Sequence, residues 1–149
     1  IATMQKQLAT TQEGEIDLRS YFAELCESIT ASMIADTSYL TLTADVDNSK
    51  VDARVSVSLG LIVTELVINA LKHGFPSSRS SGVITVYYRS SEAGWTLRVE
   101  DDGVGFPQDM DEAKPGLGTG IVEALAGQLD AQVVITHAHP GTRVTVSNC

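Results

Sequence analysis

The hydrophobic and polar positions of this 149-residue chain change period along its length. Residues 1–13 carry Ile1, Met4 and Leu8 at spacings of three and four, a helical pattern that Gly14 breaks. Asp17 is a candidate N-cap for a helix over residues 18–33, whose apolar positions Leu18, Phe22, Leu25, Cys26, Ile29 and Met33 form one stripe. Residues 39–44 alternate apolar residues with Thr, which predicts a half-buried strand, and polar residues 45–52 predict a loop. A strongly apolar helix follows over residues 55–71. Gly74, Pro76 and the Ser/Arg/Ser run to Gly82 end it in a loop. Strands at 83–89 and 95–100 flank a turn at 90–94 and predict a hairpin, in which Trp95 is a packing residue. Residues 101–118, rich in Gly, Asp and Pro, predict a long loop. A helix at 119–129 and two strands at 132–137 and 142–147, joined by a turn at 138–141, complete the chain.

Strands in pairs, separated by single helices, predict a two-layer α/β sandwich. Its sheet is mixed and its helices pack on one face. At this length the chain suffices for about one domain. The predicted division is a helix tail over 1–13, continuing a longer protein upstream of Ile1, and one domain over 14–149.

Composition narrows the function. Ten Lys and Arg against nineteen Asp and Glu leave a net charge of -9. With the few basic residues scattered, a nucleic acid or an anionic membrane surface is repelled. An anionic small ligand then needs backbone N–H groups or a bridging cation. Cys26 and Cys149 form no metal or redox pattern. No signal peptide is legible, and no apolar run is expected to approach the roughly 20 residues that cross a bilayer.

Three segments carry candidate chemistry. In LGLIVTELVINALKHG, Glu65, Asn69 and His73 recur every four residues, with Lys72 beside them, which sets them on one helix face. Such a stripe on a buried helix suits a polar cleft, a ligand or a metal; a solvated face or a core polar network fits it equally. In DDGVGFP, directly after a strand, Asp101 can accept a hydrogen bond from an exocyclic amine. Gly103 and Gly105 there allow a flat ligand close to the backbone, though the same residues also make an ordinary turn. In GLGTGI, residues Gly116, Leu117, Gly118, Thr119 and Gly120 open a helix. That N-terminus offers backbone donors to a phosphate without a basic side chain, or else is a flexible linker.

The order ELVINALKHG, VEDDGVGFP, GLGTGI and then Gly141-Thr142 resembles the N, G1 and G2 boxes of the histidine-kinase-like (GHKL) ATPases. The resemblance covers about residues 17–146. It is nearest to sensor histidine kinases of the HisKA_2 class, which carry a Lys-His pair after the N-box Asn. The related HWE class has a Trp-x-Glu where this chain has Val99-Glu100-Asp101.

The resemblance implies the Bergerat ATP-binding fold and a two-component sensor kinase domain that binds ATP and Mg²⁺. It implies that Asn69 coordinates Mg²⁺, Glu65 holds a water or polarises the attacking group, and Lys72 and His73 contact phosphate oxygens. Asp101 would accept from the adenine amino group, with Gly103 and Gly105 letting the base lie close. Gly116, Leu117, Gly118, Thr119 and Gly120 would form the lid hinge and phosphate cradle, and Thr142 would join the hydrogen bonds around adenine. None of His73, His137 and His139 lies on a preceding helical hairpin. The resemblance therefore implies a phosphoacceptor His upstream, a response-regulator receiver domain as partner, a cytoplasmic domain, and dimerisation only in the full-length protein. A serine kinase of the anti-sigma-factor type and a non-catalytic ATP-gated switch are the alternatives.

Overall fold

The computed structural model describes residues 15–34, 39–74, 82–103, 119–138 and 140–148. The predicted helix tail over 1–13 lies outside them, as do Gly105, Gly116, Leu117, Gly118, His139 and Cys149. The first element is a two-residue strand, β1 (Ile16–Asp17), followed by helix α1 (Leu18–Met33). The Asp17 carboxylate caps that helix, accepting from the Arg19 N–H at 3.1 Å and the Ser20 hydroxyl at 3.3 Å. Strand β2 (Leu40–Val46) and the short β3 (Lys50–Val51) come next. β3 pairs antiparallel with β1 through Ile16↔Val51 and Asp17↔Lys50. The sequence reading placed residues 45–52 in a loop. Two-residue strands are too short to show a period, so this small clasp was not legible.

Asp52 caps helix α2 (Ala53–Asn69), its carboxylate accepting from the Val55 N–H at 2.9 Å. The helix buries Leu59, Ile62, Val63, Leu66 and Val67. By length and composition, residues 53–72 (mean hydropathy 1.6) could cross a bilayer. That corrects the expectation that no run comes near, yet half of the stretch is buried inside this fold, as befits a core helix. The Tyr21 ring packs directly on Gly60, where a Cβ would lie 2.3 Å from the Tyr21 hydroxyl oxygen and make that side chain shift. Past Asn69 the helix widens into a π-helical turn, Ala70–Gly74.

The remaining elements are β4 (Gly82–Ser91), β5 (Gly94–Asp101), α3 (Thr119–Gln128), β6 (Gln132–His137) and β7 (Thr142–Ser147). Five strands form one sheet in the order β2-β4-β5-β7-β6. β2 and β4 are parallel and the other pairs antiparallel. A parallel neighbour needs a crossover connection, and α2 is that connection. All three helices pack on one face, with α1 against β2, α2 between its sister helices and over β5, and α3 against β6.

Alternation decides the two faces of the sheet. Leu42 and Val46, Ile84, Val86 and Tyr88, Leu97 and Val99, and Val144 and Val146 point into the core. Phe22 meets Tyr88 edge-on with ring centres 6.3 Å apart, and Trp95 stacks on Tyr88 at 6.0 Å, its expected packing role. The outer face is polar. There Arg143 makes a two-point pair with Glu100 at 3.1 and 3.2 Å, and the Arg89 and Arg98 guanidinia lie 4.5 and 4.1 Å from the Tyr87 ring centre. Exposed pairs of this kind contribute roughly 0–1 kcal/mol each, so the inner face carries the stability.

Candidate nucleotide site

The end of β5 is where the predicted site residues come together. Asp101 is the last residue of that strand and points inward, so its carboxylate is buried at 6% exposure. It accepts from the Gly103 N–H at 2.9 Å and from the Thr142 N–H of β7. Burial disfavours the anion and holds the carboxyl above its ordinary range, with the Asp102 and Glu100 charges adding to the rise and the two N–H bonds opposing it. Such a group has unfilled lone pairs in a dry place, which suits a ligand N–H donor.

Asp102, next along, points the other way. Its carboxylate accepts from the Val83 N–H at 2.8 Å, and its own N–H donates to the Val83 carbonyl at 3.3 Å. Adjacent acids thus do different work, Asp102 locking the start of β4 and Asp101 facing the core side.

Gly141 makes this arrangement possible, and the sequence reading gave it no role of its own. Its φ is +99°, and a Cβ there would sit 1.8 Å from the Asp101 carbonyl oxygen. The available signal was a Gly-Thr pair opening a strand after a tight turn, which the structure closes by an Ala138 N–H to Gly141 carbonyl bond of 3.0 Å. His137 ends β6 opposite Thr142.

The second group lies on α2 and its π turn, both of which contact β5. Glu65 and Asn69 are half-buried, one helical turn apart, as the four-residue spacing predicts. The stripe does not continue in straight register. The π turn takes more residues per turn, so Lys72, which is exposed, and the backbone of His73 follow a different rotation from Glu65 and Asn69. The Ala70 N–H is shared between the Leu66 and Val67 carbonyls where the hydrogen bonding changes. Period-counting assumes one helix type, and it fails at this junction.

The third group is the start of α3, which packs on α2. Thr119 opens the helix, and Gly120 is exposed with nothing within 4 Å of where a Cβ would stand. A small side chain there would therefore meet open space among the described residues.

The layer of three helices over a mixed sheet thus brings a buried acid at a strand end, a glycine packed on its backbone and the turn after the central helix to one end of the sheet. Residues 54–148 match the family described as Histidine kinase-, DNA gyrase B-, and HSP90-like ATPase, and the chain belongs to that family. It is 36% identical over 135 residues to Blue-light-activated histidine kinase 2 of Erythrobacter litoralis, a match covering 88% of this chain and 38% of that protein. Sensor histidine kinase PdtaS of Mycobacterium tuberculosis is 32% identical over 103 residues, covering 67% of this chain and 21% of that protein. The solved histidine kinase domain from the Erythrobacter litoralis EL346 blue-light activated histidine kinase aligns with a TM-score of 0.75 at 30% identity, over 89% of this chain and 64% of that one. The chain therefore spans well under half the length of these two curated relatives.

Proposed function

We propose that this chain is the catalytic ATP-binding domain of a two-component sensor histidine kinase. In this reading it moves the γ-phosphoryl group of ATP to a His on an upstream helical hairpin, for relay to an Asp of a response-regulator receiver domain. The tail of that hairpin would be residues 1–13 and the ATP-binding domain residues 14–149. The domain would work in the cytoplasm, with dimerisation in the full-length protein. The observation that carries the reading is Asp101, a buried carboxylate at a strand end, fixed by Gly103 and Thr142 and wedged by Gly141.

The adenine amino group would donate to the Asp101 carboxylate, with Thr142 beside it and Gly103 and Gly105 leaving room for the flat base. The sequence order supports putting Gly116, Leu117, Gly118, Thr119 and Gly120 around the phosphates. Donors at the start of α3 then act with the positive end of the helix dipole. Lys72 and His73 would contact phosphate oxygens. This division explains how a chain of net charge -9 holds a polyanion, since most of the attraction is local and comes from the backbone.

The donor set also fits Mg²⁺. Glu65 and Asn69 offer oxygens on one half-buried helix face. No group of three or more His, Cys, Asp or Glu gathers as a metal site among the described residues. Mg²⁺ keeps several waters and is held by one or two protein groups plus phosphates, so Asn69 would hold it and Glu65 would orient a water or polarise the attacking group. The ion would offset charge on the phosphates. This chain's own residues would supply placement and electrostatics rather than a covalent intermediate.

The test is a calorimetric titration of the chain with ATP and Mg²⁺, repeated on Asp101→Asn. Losing a charged acceptor costs about 1.5–3 kcal/mol, so the variant should bind roughly 10- to 150-fold more weakly. Absence of binding by the parent chain, or equal affinity in the variant, overturns the reading. With an upstream hairpin supplied, the label from γ-phosphate-labelled ATP should be lost in acid, as phosphohistidine is; acid-stable label would point to a serine acceptor.

A further inference from the structure

The strand register sets a row of inward-facing residues at the end of the sheet that holds Asp101. Glu100 pairs with Arg143 on the outer face. One position further along, Asp101 and Thr142 stand opposite each other on the inner face, and the Thr142 N–H donates to the Asp101 carboxylate. Thr142 in turn pairs with His137, the last residue of β6. The inward positions of β6 are Val133 and Ile135, which pack against the core, and then His137, half-buried like them. Asp101, Thr142 and His137 therefore cross three strands on the helix-covered side. Opposed Cα atoms are about 4.5–5.5 Å apart at each step, so those of Asp101 and His137 are about 9–11 Å apart. That span is comparable with the length of an adenosine.

α3 fixes what lies over His137. Residues 129–131 alone join α3 to β6, in a turn closed by the Leu129 and Ala131 N–H groups on the Ala126 carbonyl. The helix thus runs back along the strand it packs on. Its ten residues rise about 15 Å and the six of β6 about 20 Å. Thr119 and Gly120 therefore stand near the level of His137. We propose that His137 is a nucleotide-contacting residue, its imidazole donating a ring N–H to the ATP phosphate next to the ribose. The inference rests on the ATP-binding reading of this site and adds a phosphate contact from the sheet, beneath the start of α3. Asp101 anchors one end of the row for the base, and His137 stands at the other end, on the side of the helix start proposed to hold the phosphates. The charge balance favours such a donor. Asp101 and Asp102 put two carboxylates at this end of the sheet, and Arg143 is turned to the outer face and paired with Glu100. A polyanion seated there needs N–H groups, and an imidazole offers one in either protonation state.

The test compares ATP with adenosine, which has the base and ribose but no phosphate. The full chain is titrated with ATP and Mg²⁺ by calorimetry and with adenosine by amide NMR shifts, alongside His137→Phe and His137→Ala. The Phe variant keeps a ring and removes both nitrogens, and the Ala variant removes the ring. Both should bind ATP about tenfold more weakly or worse, as expected for losing a hydrogen bond to a charged group, and adenosine within about twofold of the parent. Adenosine binding also shows that each variant is folded at the site, and a variant that fails this check leaves the decision to the other. Unchanged ATP affinity overturns the proposal. An equal loss for ATP and adenosine overturns it too, and makes His137 a prop for Thr142 instead. A parent chain that binds neither ligand removes the ATP-binding reading and this contact together. ATP binding that Asp101→Asn weakens and His137→Phe does not leaves that reading standing and removes only His137.

Discussion

The two ends of the site are built by different means. At the end of β5, Asp101 is buried and its partners are backbone groups, those of Gly103 just past the strand and Thr142 on β7, with Gly141 pressed on its peptide. At the end of α2, Glu65 and Asn69 are half-buried and Lys72 is exposed on a π turn. The first end is an extension of the sheet and shares its stability. The second is a helix terminus whose groups are positioned with less support from packing. If the proposed roles hold, base recognition would be preorganised by the fold, while phosphate binding would rely on groups that settle around the ligand.

The largest test of this contrast is Gly141→Ala. It asks an L residue to adopt φ +99° and to overlap the Asp101 carbonyl. The cost should be about 3 kcal/mol or more. At roughly 2–4 °C per kcal/mol, melting should fall by about 6–12 °C or more, and ATP binding should be lost with it. A melting point within about 2 °C of the parent would show that the base end is softer than argued.

Asp101→Asn should separate binding from folding. It removes a buried charge and also one acceptor, so the two effects on stability oppose each other while ATP affinity falls. The pH dependence sharpens this. Because burial raises the folded-state pKa of Asp101, the folded chain holds that proton more tightly than the unfolded one. The associated stability is complete below the ordinary Asp value of about 3.9 and is lost as pH rises through the raised value. Urea midpoints of the Asn variant should therefore gain on the parent from acid to neutral pH. Parallel curves would contradict the burial argument.

Gly120→Ala is the mildest change and probes the other end. With open space around the new Cβ, it should leave stability unchanged or raise it by up to about 1 kcal/mol through helix propensity. ATP affinity should nevertheless fall if phosphate oxygens approach that backbone. A stabilised protein with unaltered affinity would remove Gly120 from the cradle.

The same contrast explains what could be read in advance. Asp17 and Asp52 announce their helices because capping is local chemistry. β4 to β7 announce themselves because one face of the sheet is core and the other polar. The match of VEDDGVGFP and Gly141-Thr142 to a family pattern put Asp101 and Thr142 in one site before their strands were paired. The π turn was illegible because Ala70 to Gly74 looks like a continued α-helix in residue types, and only a shift of hydrogen-bond partner distinguishes it. The β1–β3 clasp was too short for any period. Gly141 stood in plain view, but its necessity comes from a strand remote in sequence.

Asp102 has a consequence for motion. Together with Asp101 it gathers the starts of β4 and β7 and the end of β5 into one clamp, through the amides of Val83, Gly103 and Thr142. Strand ends ordinarily fray and exchange their amide protons first. Here those three amides should exchange slowly, at rates like those of mid-strand positions, and Asp102→Ala should release Val83 first. A sheet bolted at that margin passes any displacement of the chain entering β4 straight to the carboxylate proposed to read the base.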